Sequence, residues 1–356
     1  MSDDVSAVSP TSPSSDTRDI DVAAVQPPEL SQAPAQELSS TSAQEIPKVQ
    51  PRPLPKRFES DIEVPDIDLH MHSTASDGGM APADLVALVA RRGLSRMSLT
   101  DHDSMEGIFE AQQAAAEWGI SLLPGCELSV RWRNQTIHIV ALMPDGAGDA
   151  LSAGLVQQHE ARERRSHEIA TRMEKIGLDN AMERAREQAT LNGSGDRPLS
   201  RPDFARALVE AGIARNLQDA FKRHLGSGQK GDVKAHWPEM EEAVGWVRAD
   251  GGVAVMAHPM RYKLTRTKRG ELLRDFIAAG GEAAELVSGF QNIDRARDLA
   301  RQLDELGMYA SVGSDFHFPG GPLAPGSMSP PPRTKVPPVW CHPRLAPFFD
   351  APIATI

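Results

Sequence analysis

The sequence predicts an α/β fold: an irregular seven-stranded (β/α) barrel with a helical insertion and a disordered N-terminal tail. Three observations support this fold. Short apolar runs alternate with helical segments from residue 64 onwards, which is typical of parallel strands joined by helices. Clusters of His, Asp and Glu follow several of these runs. A long helical stretch also separates the fourth run from the fifth.

The first 60 residues are predicted to be disordered. They are rich in Pro, Ser, Ala, Gln and Asp, and they show no apolar periodicity. Such a segment cannot bury enough apolar surface to offset the entropy lost on ordering. The chain opens with an acidic stretch rather than an apolar one, so we expect no signal peptide.

The first four strands are predicted within residues 64–145. Apolar and polar residues alternate from Ile67 to His72, which is the period of a strand with one polar face. Further strands are predicted at 97–100, 122–123 and 136–143, and helices at 82–92 and 105–118. The third and fourth strands are close enough in sequence for a local hairpin, so strict eightfold regularity is not expected.

Three more strands complete the predicted barrel within residues 237–320. They are expected at 253–256, 283–287 and 309–312. Helices are expected at 241–248, 271–279 and 294–306. Seven strands with interleaved helices favour a parallel β/α barrel.

A helical insertion is predicted at residues 146–236, between the fourth and fifth strands. Two apolar stripes at helical spacing mark it: Ile169, Met173 and Ile176, and Phe204, Leu208 and Val209. We expect the insertion to cover the active site at the mouth of the barrel. A separate domain is the alternative, but continuity of one sheet across the segment favours an insertion. Residues 321–356 are a Pro-rich C-terminal extension and are expected to be extended.

Composition limits the partners and the compartment. The sequence has no run of 18 or more apolar residues, so no membrane span is expected. Two cysteines are too few for a disulfide framework and fit a reducing cytoplasm. A net charge of −11 argues against extended wrapping of a long nucleic acid. A nucleotide or a strand end stays compatible, because bound metal ions reverse the local charge. The sequence gives no sign either way of self-association.

Nine imidazole and carboxylate side chains from six places in the chain form a candidate metal site. Most follow an apolar run, so we expect them to converge at the mouth of the barrel. The nine predicted ligands are His70, His72, Asp77, His102, Glu127, His138, His258, Asp315 and His317. Their number suits two or three divalent ions. Mixed imidazole and carboxylate ligation favours Mn, with Fe or Zn as alternatives, over Mg.

Spacing strengthens the first of these assignments. His70 and His72 lie two residues apart on one strand face, so both rings can reach the same ion, and Asp77 can reach a neighbouring ion. A polar strand edge is the alternative, but it leaves the same pattern at other strand ends unexplained.

His102 is flanked by two aspartates with two candidate roles. Asp101 or Asp103 can orient the His102 ring from behind. Alternatively, Asp103 or Ser104 can cap the helix that begins near Met105. We expect both roles to be present.

The third and fourth strands carry two further predicted ligands, Glu127 and His138. Glu127 is expected at a strand end, where its carboxylate can bridge two ions, while Cys126 faces away as a small buried hydrophobe. His138 lies among apolar neighbours, so a hydrogen-bonded core histidine is the alternative to a ligand. The remaining histidines are assigned structural or surface roles: His159, His167, His224, His236 and His342.

The ligand set indicates hydrolysis by a metal-activated water. Bound ions would lower the pKa of the attacking water from about 16 toward 7. His258 and Asp315 are assigned to catalysis.

The ordered ligand set resembles that of the PHP family, named for polymerase and histidinol phosphatase, over about residues 64–320. The neighbourhoods 73–78, 99–103 and 311–317 are similar to those of its nucleotide-phosphatase branch. That branch includes 3',5'-nucleotide bisphosphate phosphatases and the 5'-to-3' exoribonuclease RNase AM, and its members have a helical insertion at the same place. The resemblance implies a metal-dependent phosphoric ester hydrolase that acts on 3',5'-bisphosphonucleotides, on short 5'-phosphorylated RNA, or on both.

The insertion departs from that branch at one position. The branch commonly has Arg-x-His before a Phe-Ala-Arg-like stretch, and its His is thought to meet the substrate phosphate; here Asp203 stands at the His position, after Arg201. One of Arg162, Arg164 and Arg165 resembles the branch's phosphate-clamping arginine, with a solvated charged helix face as the alternative. The resemblance implies substrate binding by Arg162, Arg165, Arg201 and Asp203, and a catalytic role for Arg165.

Two rival functions remain. One is a phosphatase of a small metabolite, of the histidinol-phosphatase type, which the insertion and the branch-like motifs disfavour. The other is a metal-binding module without catalysis. The complete set of nine ligands disfavours that module, and only the change at Asp203 favours it.

Overall fold

The structure of this protein is a computed structural model that describes residues 66–234 and 236–351. The predicted disordered tail, residues 1–60, lies outside the described residues. Among the helices within these ranges, none is long and apolar enough to cross a membrane.

Seven strands form one sheet that curves into a nearly closed barrel, with the strands in chain order around it. The strands are β1 (Ile67–Asp68), β2 (Arg96–Leu99), β3 (Ser121–Trp132), β4 (Gln135–Leu142), β5 (Val253–Met256), β6 (Ala283–Ser288) and β7 (Tyr309–Gly313). Closure comes from hydrogen bonds between the chain after β1 and the end of β7. The Leu69 amide donates to the Val312 carbonyl at 3.2 Å, and the Asp315 amide donates to the His70 carbonyl at 2.8 Å. The predicted irregular seven-stranded α/β barrel is confirmed.

The strands do not all run parallel. β4 pairs antiparallel with both β3 and β5, whereas the other neighbours in the sheet are parallel. The parallel arrangement of the barrel is therefore interrupted at β4. The reason is the hairpin, which was predicted: the tight turn at 133–134, with Arg133 at φ 54°, sends the chain straight back. β3 also extends to 12 residues, so Glu127 lies inside a strand and not at its end.

Five helices pack around the barrel strands. They are α1 (Pro82–Arg91), α2 (Ile108–Trp118), α7 (Met240–Ala249), α8 (Arg266–Ala279) and α9 (Ile293–Glu305). α8 begins five residues before its predicted start because the Thr265 hydroxyl accepts the Lys268 amide and caps it. α2 begins later than predicted, after Gly107 and without a side-chain cap. The expected capping by Asp103 or Ser104 is therefore wrong.

Four helices and a π-helical turn lie between β4 and α7. They are α3 (Asp149–Glu174), α4 (Ala181–Leu191), α5 (Arg201–Glu210), α6 (Leu217–Ala220) and the turn Phe221–Leu225. These helices enclose an apolar core of their own, in which Ile169, Met173, Phe204 and Leu208 are fully buried. Leu151, near the start of α3, instead belongs to the barrel core. One long helix is thus shared between the two cores.

The Pro-rich segment after β7 packs on the barrel. The Gly326 amide donates to the buried Asp68 carboxylate at 2.7 Å. We expected this segment to be extended, and that expectation is wrong for two parts of it. It forms a 3-10 turn at Val339–Cys341 and a short helix, α10, at Ala346–Asp350. Apolar side chains from this stretch, such as Trp340 and Phe349, join the barrel core, which explains why the chain folds there.

Candidate metal centre and substrate cavity

The structure brings all nine predicted ligands together. Their imidazole nitrogens and carboxylate oxygens form three groups, each able to surround one ion. The first cluster contains His70, His72, Glu127 and Asp315; the second contains His72, Asp77, His102 and His317; the third contains His102, Glu127 and His138. His258 joins through its Nε2, 2.9 Å from Glu127 Oε1.

The first cluster has the dimensions of a tetrahedral metal site. His70 Nε2 lies 3.1 Å from His72 Nε2 and 3.2 Å from Glu127 Oε2. His72 Nε2 lies 3.3 Å from Glu127 Oε2 and 3.2 Å from Asp315 Oδ1. Metal–ligand bonds of about 2.0 Å place the corners of a tetrahedron roughly 3.3 Å apart. The four side chains are held at the spacing that one ion requires.

The second and third clusters share residues with the first. Glu127 Oε1 lies 2.9 Å from His138 Nδ1, while Oε2 of the same carboxylate lies 3.0 Å from His102 Nδ1. Asp77 Oδ1 lies 3.5 Å from His317 Nε2. The two oxygens of Glu127 therefore face different groups of histidines, as a carboxylate that bridges neighbouring ions would.

Several ligand atoms have no hydrogen-bond partner although they are buried. These are His72 Nδ1, Asp77 Oδ1, His102 Nδ1, Glu127 Oε2 and His258 Nδ1. Unpaired buried polar atoms are rare in folded proteins because each one costs desolvation energy. Bound cations would satisfy Asp77 Oδ1 and Glu127 Oε2, so the donor set fits divalent metal ions.

Proton affinities at the site show the same need for positive charge. Burial would lower the pKa of His70, but the carboxylates, chiefly Glu285 and Glu127, outweigh it and raise that pKa well above its ordinary value. Burial would also lower the pKa of His72, but the nearby carboxylates of Asp315 and Glu127 raise that pKa to about 10. Burial would raise the pKa of Glu127, but the neighbouring imidazoles hold it well below its usual range. The carboxylates are thus anionic and require cations around them.

Glu285 is a site residue that the sequence reasoning missed. Its Oε1 lies 2.6 Å from His70 Nδ1, and its Oε2 accepts the His258 amide at 2.6 Å. A carboxylate behind a ligating imidazole fixes the ring orientation and increases its basicity. The available signal was one acidic residue inside the mostly apolar and buried strand β6.

The backbone is unusual where it presents two ligands. His258 has φ 30° and Asp315 has φ 57°, in the left-handed region that non-glycine residues seldom adopt. The Asp315 amide is held by the His70 carbonyl, which couples its position to β1. Such conformations persist only where the surroundings enforce them, and they concentrate at functional sites.

Neither aspartate beside His102 orients its ring. The Asp101 carboxylate accepts hydrogen bonds from Ser73 and Ser76 and so fixes the loop after His72. Asp103 accepts the Ser129 amide at 2.6 Å and Nε of Arg162 at 2.7 Å. The expected orienting role is therefore wrong, because both carboxylates are committed to other donors.

A cavity of about 370 Å³, called here the arginine cavity, opens over the clusters. Seven predicted ligands line it: Asp77, His102, Glu127, His138, His258, Asp315 and His317. Four arginines share the lining: Arg162, Arg165, Arg201 and Arg261. The first three come from the insertion and were predicted to bind substrate. Arg261, which was missed, forms an ion pair with Asp315.

The arginines of the insertion differ in their partners. Arg162 pairs with Asp103, whereas Arg165 is buried and donates from Nε to the Val233 carbonyl at 2.9 Å. Both guanidinium groups lie over the ring of Trp237, at 5.5 and 5.2 Å from its centroid. Burial lowers the pKa of Arg165 and of Arg201, because both guanidinium groups have lost most of their contact with water. An anion in the cavity would compensate them.

Arg164 and Asp203 lie outside the arginine cavity. Arg164 is exposed and pairs with Glu160, so it belongs to a charged helix face in contact with water. Asp203 is fully buried and accepts hydrogen bonds from both terminal nitrogens of Arg197, at 2.8 and 3.0 Å. It also accepts the Ser200 amide in the capping box that starts α5. The structure thus places Asp203 within the fold of the insertion.

The remaining side chains behave as structural groups. Cys126 is fully buried, and burial raises the pKa of its thiol well above the ordinary value, as the prediction of an inert hydrophobe requires. His236 pairs with Glu168, and His342 pairs with Glu282.

Comparison with known proteins matches residues 68–244 to the PHP domain. The 3',5'-nucleoside bisphosphate phosphatase of Chromobacterium violaceum is 41% identical over 256 residues, which cover 71% of this chain and 88% of the relative. The 5'-3' exoribonuclease of Haemophilus influenzae is 42% identical over 254 residues, covering 71% and 90%.

A solved structure is similar over nearly its whole length. It is described as an amidohydrolase from Chromobacterium violaceum with bound SO4 and no metal, and it is 38% identical to this chain. The match covers 80% of this chain and 96% of the solved one, with a TM-score of 0.72. Fold, site and relatives together define the class, a metal-dependent phosphoric ester hydrolase. The chain belongs to the PHP family.

Proposed function

We propose that this chain hydrolyses phosphate esters of nucleotides, either as a 3',5'-bisphosphonucleotide phosphatase, as a 5'-3' exoribonuclease on short RNA, or as both. One observation carries the proposal: four arginines line the same cavity as seven candidate metal ligands. A cavity with so many cations beside a metal centre suits a substrate with more than one phosphate group.

The relatives support the same substrate class. They include a bisphosphate phosphatase and an exoribonuclease, and both act on phosphate esters of nucleotides by their names. The related Chromobacterium structure binds sulfate, which has the shape and charge of a phosphate group. The net charge of −11 favours short substrates over long nucleic acids.

The proposed function assigns metal binding and phosphate binding to different residues of this chain. The nine ligands would hold two or three divalent ions, with Mn favoured over Mg by the mixed imidazole and carboxylate donors. Bound ions would supply an activated water and neutralise phosphoryl oxygens. Arg165 and Arg201 would hold the phosphate, since a guanidinium donates two parallel hydrogen bonds to such a group. His258 and Asp315 would act at the reacting phosphate as ligands, and Arg261 would fix the Asp315 carboxylate.

The insertion at 146–236 would cover the reacting groups and exclude bulk water. Arg162, Arg165 and Arg201 all come from it and line the cavity that the barrel ligands line from the other side. Excluding water strengthens each charge interaction in the cavity. We place the protein in the cytoplasm, because two cysteines are too few for a disulfide framework.

The test compares two substrates on Mn-loaded protein. Phosphate release from adenosine 3',5'-bisphosphate would support the phosphatase version, and mononucleotide release from a short 5'-phosphorylated RNA would support the exonuclease version. His167→Ala, an exposed histidine on α3, is the control for His70→Ala. Absence of turnover on both substrates by wild-type protein would refute the proposal.

A small-metabolite phosphatase is the second candidate. It is favoured by the small size of the arginine cavity, about 370 Å³. Histidinol phosphate has one phosphate group and so needs fewer cations than this cavity offers. Turnover of histidinol phosphate at a higher kcat/KM than either nucleotide substrate would favour that reading.

A further inference from the structure

A second cavity, called here the side cavity, adjoins the arginine cavity and has a larger volume, about 620 Å³. Three residues line both cavities: His102, Arg162 and Ser200. A molecule whose phosphate lies at the metal centre therefore has a neighbouring space for the rest of its structure. The side cavity holds few of the candidate ligands, so metal binding does not account for it.

The walls of the side cavity are largely apolar. Met105, from the loop before α2, and Pro198, from the loop before α5, both line it. Leu155 and Val156 of α3 complete this surface, and Val156 is 63% exposed. An apolar lining in a cavity of this size is typical of a binding site for an organic group, which would remove these side chains from water.

A few polar groups stand among the apolar walls. The hydroxyls of Ser104 and Ser152 and the ring of His159 can each donate or accept a hydrogen bond. Arg197 also lines the cavity, and only 7% of it is exposed. Its terminal nitrogens bind Asp203, but its Nε is buried and has no hydrogen-bond partner. Polar groups of this kind recognise the edge of a heterocycle or the hydroxyls of a sugar.

We propose that the side cavity binds the nucleoside part of the substrate, with the base against Leu155 and Val156. The proposal rests on the nucleotide function given above. The shared lining at His102 and Arg162 favours this occupant, because the phosphate and the nucleoside of one molecule must occupy adjoining spaces. A base has a flat apolar face and a polar edge, and the walls offer a surface for each. The site thus selects nucleotides over phosphate esters that lack a base.

The test uses two substrates with the same phosphate groups. Adenosine 3',5'-bisphosphate has a base, whereas 1-deoxyribose 3,5-bisphosphate lacks one. Val156→Asp places a charge on the proposed base surface at an exposed position, so folding should be preserved. Gln157→Asp adds the same charge to the neighbouring residue, which does not line the cavity, and is the control.

Val156→Asp should raise KM for adenosine 3',5'-bisphosphate about tenfold and leave KM for the abasic compound unchanged. Gln157→Asp should change neither KM by more than about twofold. Ala147→Trp, which narrows the cavity from another exposed position, should repeat the selective rise.

Equal effects of Val156→Asp on both substrates, or no effect on either, would overturn the nucleoside assignment. The nucleotide function would still stand in that case, because wild-type protein would hydrolyse the bisphosphate. A wild-type protein inactive on both compounds and on a short 5'-phosphorylated RNA would refute the proposed function itself, and the assignment with it.

Discussion

The mouth of the barrel and the insertion above it contribute to one cavity in different ways. Barrel side chains are packed against one another at 2.6–3.4 Å and are held by hydrogen bonds from several strands. The arginines of the insertion instead reach the cavity from helices that have their own apolar core. The barrel and the insertion therefore each have an apolar core, and both contribute side chains to the arginine cavity.

The barrel supplies the side chains proposed for catalysis, and the insertion supplies those proposed for substrate recognition. The barrel ligands depend on long-range strand pairing, so their positions cannot change without changing the sheet. Asp203 of the insertion forms a capping box and an ion pair with Arg197, and it lies outside the metal centre. Changes in the barrel should then remove activity, and changes in the insertion should alter substrate use.

Loss of a barrel ligand should have the largest effect. His70→Ala or Asp315→Ala should lower kcat by about 10³-fold or more, because bound ions contribute several kcal/mol to the transition state. Circular dichroism should show a folded protein in both variants, with His167→Ala as the control. Near-normal kcat in both variants would contradict the assignment of the metal centre.

Metal removal should act like these substitutions but reversibly. Dialysis against a chelator should abolish turnover, and addition of Mn should restore it, since nine ligands supply no nucleophile of their own. Metal analysis by mass spectrometry should find two or three ions per restored chain. Full activity in protein shown to be metal-free would contradict the mechanism.

Within the insertion, two adjacent arginines offer a matched pair. Arg165→Ala should lower kcat/KM about 100-fold, because a buried guanidinium that faces the phosphate is removed. Arg164→Ala should change it by less than about twofold, since Arg164 is exposed and pairs with Glu160. Arg165→Lys should recover only part of the loss. Similar losses for Arg164 and Arg165 would mean that the insertion acts through its overall charge.

Glu285→Gln removes the negative charge from the side chain that contacts His70 and His258, and we expect a moderate loss of metal affinity. It should weaken metal affinity by about 10- to 100-fold while keeping the shape of the side chain. Competition with a metal-sensitive dye would measure this, with the half-buried Glu271→Gln, which pairs with Arg133, as the control. Activity should return at high Mn concentration. A loss that no Mn concentration reverses would assign Glu285 a different role.

Asp203→Asn should have the smallest effect on activity and a clear effect on stability. Removing the charge leaves Arg197 buried without its partner, which costs about 3 kcal/mol in the free energy of unfolding. Chemical denaturation would measure that loss, while kcat/KM should stay within about twofold of wild type. A large fall in kcat/KM without a loss of stability would indicate that Asp203 binds the substrate.

The features predictable from the sequence were those with local signals. Alternation around His70 and His72 marks a strand with a polar face, and His and Asp clusters after apolar runs mark strand ends, so the barrel and the convergence of the nine residues could be predicted. The hairpin followed from the short third connection. Each of these depends on residues near one another in the chain.

The features that could not be predicted depend on pairing between distant segments. Glu285 reaches His70 only because β6 pairs with β7, whose end joins the chain after β1. The roles of Asp101 and Asp103 were mistaken because their partners Ser73 and Ser129 come from other strands and loops. A long-range hydrogen bond has no periodicity in the sequence.

The Asp68 carboxylate has a consequence for the limits of the catalytic unit. It is buried beside His70 and accepts amides from Ser314 at 2.9 Å and from Gly326 at 2.7 Å, so it joins β1 to the chain on both sides of residue 320. Burial raises the pKa of this carboxyl, and the backbone donors oppose that rise. A chain cut after β7 would lose one of these donors next to a metal ligand. We therefore expect the smallest active fragment to extend past His317 into the Pro-rich segment.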